Sequence, residues 1–148
     1  LVKRIAASDE RTSFVGSHFY YEDVSGRSPS EDTHVLIETT PDYYVLDSTP
    51  KNPSAVEFAK YRNYIHKATF IPVKTEYYDA NGEVYRVYSA TKVDVIAGKP
   101  TVTASEMDDK RIGGKTTMTY TTVEYDLGLP DDIFTERYLR TPPREYVR

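Results

Sequence analysis

FIPVKTEYYDANGEVYRVYSATKVDVI, residues 70–96, is the stretch that decides the fold. Two alternating runs, Phe70 to Tyr78 and Val84 to Ile96, flank Asp79-Ala80-Asn81-Gly82. Period-two alternation of β-branched and aromatic residues builds half-buried strands, and Asn-Gly accepts the positive φ that a tight hairpin turn requires. On the first run Ile71, Val73, Thr75 and Tyr77 fall on one face. On the second, Tyr85, Val87, Ser89, Thr91, Val93 and Val95 oppose the more mixed set Val84, Arg86, Tyr88, Ala90, Lys92 and Asp94.

The same pattern extends outward. Tyr61 to His66 reads as the strand before this hairpin. After it, Ala97-Gly98-Lys99 turns the chain, Thr101 to Met107 returns, Asp108 to Gly114 turns again, and Lys115 to Tyr125 reads as the last long strand. Short links between successive strands predict antiparallel neighbours. Upstream, Thr33 to Glu38 and Tyr43 to Asp47 form a hairpin about Thr39-Thr40-Pro41-Asp42, and Leu1 to Ala7 reads as a further strand. Ser13 to Val24 is aromatic and irregular, and Ser25 to Asp32 is a loop. Asn52 is placed to cap a short helix with Pro53 at its first position, running to about Lys60. The expectation is a mainly β chain, one domain over residues 1–148, built on a curved antiparallel sheet with short helical segments.

Composition narrows the function. The formal charge of −4 argues against a nucleic-acid partner, which calls for a basic excess. Without cysteine there are no disulfides and no thiolate metal sites. No apolar run reaches the length of a membrane-spanning helix. Tyr supplies 14 of the aromatic residues against 5 Phe and no Trp, which suits strands with one face on an apolar ligand or core and the other wet. The opening Leu-Val-Lys-Arg-Ile has neither initiator Met nor signal peptide, as expected of a processed product or an excised fragment.

Motifs for chemistry do not assemble. Ile112-Gly113-Gly114-Lys115-Thr116 resembles a phosphate-binding loop, but Asp109 stands where that loop needs its first Gly, and a Thr-rich strand follows instead of a helix. Asp79, Asn81 and Glu83 alternate like calcium ligands, yet Gly82 comes too early and the segment is too short to wrap an ion. Both read as hairpin turns. His18, His34 and His66 have no ligand-type partner at i+4 and read as packed or solvated. Ser17 and His18 are adjacent and point apart on an extended segment. No catalytic residue, cofactor site or metal site is expected. Arg137, Arg140, Arg144 and Arg148 make a locally basic end, read as a solvated tail, with contact to anionic lipid headgroups as the functional alternative.

Three segments together resemble a known family. The first is Arg4-Ile5, then Ser13-Phe14-Val15-Gly16-Ser17 and Phe19-Tyr20-Tyr21-Glu22-Asp23. The second is Phe70-Ile71-Pro72-Val73 running into Glu76-Tyr77-Tyr78-Asp79 and Asn81-Gly82. The third is Tyr125-Asp126-Leu127-Gly128-Leu129-Pro130-Asp131-Asp132-Ile133-Phe134-Thr135, followed by Arg137 to Leu139. In this order they are similar to the outer-membrane lipoprotein-sorting (LolA-like) family of Gram-negative bacteria, and to its C-terminal part. His18 stands where the family tends to have Asp, Tyr64 stands where an aromatic, often Trp, precedes its Ile-Asp, and His66 replaces that Asp. The resemblance implies an unclosed, half-open β-barrel with helices on its concave side. It implies a periplasmic, non-enzymatic carrier of lipid acyl chains or lipoproteins, associated with the outer membrane or served by an inner-membrane transporter or exporter.

Each acyl CH₂ moved out of water is worth about 0.8 kcal/mol, so an apolar concave face suffices without chemistry. The lipid-facing candidates on the strand faces are Ile71, Val73, Tyr77, Tyr85, Val87, Val93, Val95, Met107, Met118 and Tyr120. The alternative is an envelope regulatory or scaffold module of the same fold that binds a protein partner. With the family's first strands absent, the sheet is expected to expose an unpaired edge and to self-associate through it.

Overall fold

The computed structural model of the chain describes residues 5, 6, 9–144 and 146. Seven strands form one antiparallel sheet in sequence order: β1 (Asp32–Thr39), β2 (Tyr43–Pro50), β3 (Lys60–His66), β4 (Pro72–Tyr78), β5 (Val84–Ile96), β6 (Lys99–Asp109) and β7 (Lys115–Thr119). β1 and β7 are free edges, so the sheet does not close into a barrel. Two short helices accompany it, α1 (Tyr21–Ser25) and α2 (Glu136–Arg140), with 3₁₀ turns at Pro29–Glu31, Pro53–Ala55 and Asp131–Phe134. Most of the strand at residues 1–7 expected from sequence lies outside the described residues, and Ile5 and Ala6 belong to no strand.

Register rows show why one face is wet and the other is not. Met107, Tyr88, Thr75, Asn63 and Leu46 lie opposite one another across five strands. The next row is Asp108, Val87, Glu76, Arg62, Asp47 and Val35. Its side chains point the other way, because strand side chains alternate. This outer face is zipped by charges. Asp47 accepts from Arg62 at 2.6 and 3.0 Å and from Lys60 at 2.7 Å, while Glu76 accepts from Lys74 at 2.6 Å and from the Tyr78 hydroxyl at 3.0 Å. Hydrogen bonds from Arg62 hold the Asp47 carboxyl down at about 2. The inner face is mixed: Leu46, Tyr88 and Met107 share it with Asn63 and the buried Thr75.

Bulges break the simple alternation. Tyr64 pairs with Lys74 and Ile65 with Pro72, so Val73 is an extra residue. Thr75 and Tyr77 keep a common face, but Val73 does not continue it as strict period two predicts. Tyr77 pairs with Arg86 and Tyr78 with Val84, which leaves Tyr85 as the extra residue of β5. A bulge lets two successive side chains escape alternation. Tyr85 and Arg86, neighbours in sequence, are both buried, at 4% and 2% exposure.

Two expectations about element length are corrected. The helix after Asn52 is only the turn Pro53–Ala55, because Asn52 makes no backbone cap and its side chain accepts instead from the Ser54 hydroxyl. The chain then runs out to bury Phe58 edge-on against Tyr61 and beside Tyr77. β7 stops at Thr119 rather than Tyr125. The Tyr120 N–H still donates to the Thr103 carbonyl in register with the ladder, but the strand ends there, and residues 121–125 run on as an irregular strap tied to β6 by the Tyr125 hydroxyl, 2.8 Å from Thr101 Oγ1.

Candidate functional site

Two adjoining hollows lie on the inner face, of about 720 and 490 Å³. Asp23, Pro72 and Tyr88 line both, so they form one trough divided beneath α1. The larger is walled by Phe19 and Val24 from the N-terminal segment, by Ile71, and by Met118, Tyr120 and Tyr125 near the C-terminal strap. The smaller is walled by Leu46, Phe58, Ile65, Tyr77 and Met107, with polar groups at the end nearest β1.

Arg86 fixes α1 in place. Its guanidinium donates to the Asp23 carboxylate and to the His18 carbonyl at 3.3 Å, and stacks 3.7 Å from the centre of the Tyr20 ring. Asp23 in turn accepts the Tyr20 N–H at 2.6 Å at the start of α1. Burial works against the Arg86 charge, and the attraction of Asp23 more than restores it. Arg86 Nε makes no hydrogen bond, with Asp109 at 4.0 Å. His18 secures the same segment to the β6–β7 turn through Thr116 (2.7 Å) and the Gly113 carbonyl (3.2 Å).

A second network closes the other end. Glu22 accepts from Arg11 at 3.3 Å and from Arg27 at 3.0 Å. Arg27 also forks onto Asp32 at 2.9 Å through both Nε and Nη2, and Asp32 accepts the Tyr61 hydroxyl at 2.7 Å. Although burial opposes it, these donors hold the Asp32 carboxyl below its ordinary value, and burial together with Asp32 pushes the Tyr61 phenol up. His34 is engaged by Ser48 and by the Pro29 carbonyl, both at 2.8 Å. Tyr88 bonds Ser105. The charged side chains of the smaller hollow thus satisfy one another, and Asn63 and Tyr77 stand outside these networks.

Among the residues expected from sequence to face lipid, Ile71, Met118 and Tyr120 line the larger hollow, and Tyr77 and Met107 the smaller. Val73, Tyr85, Val87, Val93 and Val95 line neither. Tyr85 is packed under the Arg111 guanidinium, 3.5 Å from its ring centre, Val87 lies opposite Asp108 and Glu76, and Val95 is 74% exposed. Sequence reasoning missed Phe19, Val24, Leu46, Phe58 and Ile65. Phe19 and Val24 sit in an irregular segment, and Leu46 and Ile65 each follow directly on other apolar or aromatic residues of a short strand, so alternation could not assign them to a side.

The turns read from sequence are turns. Gly113 and Gly114 have φ of +75° and +92° between β6 and β7. Asp79 Oδ1 accepts the Asn81 and Glu83 N–H groups at 2.8 and 3.0 Å, so it serves its own hairpin. Among the described residues no group of three or more His, Asp or Glu side chains is arranged to hold a metal, and no helix is long and apolar enough to cross a membrane.

A family model described as an uncharacterized protein matches residues 1–141, and the chain belongs to that family. No curated protein matches it. Among solved structures, it is similar to a DUF1329 family protein from Desulfovibrio piger, with a TM-score of 0.83 and 27% identity over 94% of this chain. It is similar also to a domain assigned to outer membrane lipoprotein-sorting proteins from Vibrio parahaemolyticus (TM-score 0.80, 24% identity, 93% of this chain). A LolA superfamily protein from Nitrosomonas europaea follows at a TM-score of 0.66 and 24% identity over 87% of this chain. The chain spans 60% of the length of each of these three proteins. It has the LolA-like fold.

Proposed function

We propose that this member of the family, with its LolA-like fold, holds acyl chains of lipids or lipoproteins in the inner-face trough and serves their sorting or transport to the outer membrane. The observation that carries the reading is the pair of adjoining hollows, about 720 and 490 Å³, on the inner side of the sheet, where Phe19, Ile71 and Met118 wall one and Leu46, Phe58 and Met107 the other. Hollows of this size fall within the range of small-molecule sites. The trough works by solvating hydrocarbon, and no bond is made or broken in it. Ile71, Tyr77, Met107, Met118 and Tyr120 are the acyl contacts. The compartment is the periplasm, and the chain forms the C-terminal portion of a longer LolA-like domain that hands its cargo to or from an inner-membrane transporter. Displacement of a fluorescent fatty acid tests this: saturable, competable uptake is expected, and no uptake removes the reading.

One feature favours a second reading. Edge strand β1 exposes Val35, Leu36 and Ile37 in succession, at 55, 57 and 44%. An uncovered apolar edge is a template for strand addition, which suits a protein partner in an envelope regulatory or scaffold role, or a second copy of the chain. A stable protein complex recovered from envelope extract that ignores added lipid would favour it over the carrier. A strictly monomeric species would count against self-association.

A further inference from the structure

We infer that Asn63 and Tyr77 form a polar subsite in the smaller hollow that receives the neutral carbonyl of an acyl ester, so that the ligand is an esterified chain rather than a bare hydrocarbon or a free fatty acid. This rests on the acyl-binding reading above and names its ligand class. The two side chains stand outside the charged networks that occupy the rest of the polar wall. The Thr75 hydroxyl donates to Asn63 Oδ1 at 2.7 Å, and the Asn63 amide nitrogen has no partner among the described residues. The Tyr77 ring is held by Phe58 and Tyr61 at centroid distances of 5.5 and 5.9 Å, while its hydroxyl has no hydrogen-bond partner among the described residues.

The sheet brings them together. Asn63 lies opposite Thr75, and Tyr77 is two residues further along the same face of β4. Such diagonal neighbours stand roughly 7–8 Å apart, within reach of a common ligand for side chains of this length. Both groups donate, and a carbonyl oxygen accepts two hydrogen bonds. A hydrocarbon in the hollow would leave both donors facing apolar matter, which is costly. Charge selects among carbonyl compounds. The lining carries two carboxylates, Glu22 and Asp23, and each already has its cation: Glu22 pairs with Arg27 of the same lining, and Asp23 with Arg86, which stands 5.1 Å from the centre of the Tyr77 ring. With both guanidiniums engaged, a fatty-acid carboxylate would add an unpaired negative charge, and an ester adds none.

The test compares methyl laurate, lauric acid and dodecane as displacers of a fluorescent apolar probe from the full 148-residue chain at neutral pH. Methyl laurate is expected to displace at about tenfold lower concentration than dodecane, the factor that about 1.4 kcal/mol of net hydrogen bonding gives, with lauric acid weaker than the ester. Tyr77→Phe and Asn63→Leu should each shrink the ester's advantage over dodecane several-fold. Tyr77→Phe removes one oxygen and keeps the packed ring, so it decides the matter even where Asn63→Leu unfolds. Equal displacement by all three compounds, tighter binding of the acid, or an ester preference untouched in Tyr77→Phe overturns the subsite while acyl binding stands. If no probe enters the wild-type chain, acyl binding itself fails and the subsite with it.

Discussion

Replacing Arg86 by Met is the sharpest test of how the trough is held together. Arg86 is 2% exposed and is the charge partner of Asp23, whose side chain is 11% exposed. Removing one member of a buried pair strands the other, at a cost of about 3–5 kcal/mol. Asp109 is also near, but it accepts the Arg111 N–H at 2.9 Å and so is less dependent on Arg86. For a chain of this size each kcal/mol moves Tm by about 2–4 °C, so Arg86→Met should lower Tm by roughly 6–20 °C. The double variant Arg86→Met with Asp23→Leu removes both charges, and replacing a whole buried pair by apolar groups is often neutral or better. It should recover most of the loss. Urea unfolding of wild type, both single variants and the double variant gives the coupling energy, provided the slope with urea is unchanged. A single variant within about 1 kcal/mol of wild type, or a double variant no more stable than Arg86→Met, would falsify the claim that this pair seats α1 on the sheet.

Acid should loosen the outer face first. Asp47 is held at about 2, below its unfolded value, so its contribution is present above about pH 4 and is lost as pH falls toward 2. Asp47→Asn should flatten the pH dependence of urea stability in that window, and an unchanged slope refutes the assignment. Tyr61→Phe removes the hydroxyl donor to the buried Asp32 carboxylate and should cost about 1.5–3 kcal/mol by chemical denaturation. Tyr125→Phe unties the C-terminal strap from Thr101 at about 0.5–1.5 kcal/mol. Met118→Lys places a charge in the larger hollow and should abolish fluorescent fatty-acid uptake with little change in Tm, since Met118 is half-buried at the trough wall. Full uptake by that variant would take the larger hollow out of the acyl-binding reading.

Local chemistry alone determined the strands and their order. Alternation placed the boundaries of β5 at Val84 and Ile96, Asn81-Gly82 placed its hairpin, and short links made every neighbour antiparallel, because these depend on residues close in sequence. The segment motifs also pointed to the LolA-like fold. Three things needed the assembled chain. Bulges at Val73 and Tyr85 shifted the faces, so Ile71 and Tyr77 reached the trough while Tyr85 went under Arg111; a bulge is chosen by how curved strands fit, and it leaves no mark in a two-residue period. Phe58 overrode the helix signal at Asn52-Pro53, because burying its ring against Tyr61 and Tyr77 outweighs a weak local propensity. The division of the trough rests on Arg86 meeting Asp23, 63 residues earlier in the chain, and a bond between residues so far apart is decided only when the sheet brings them into contact.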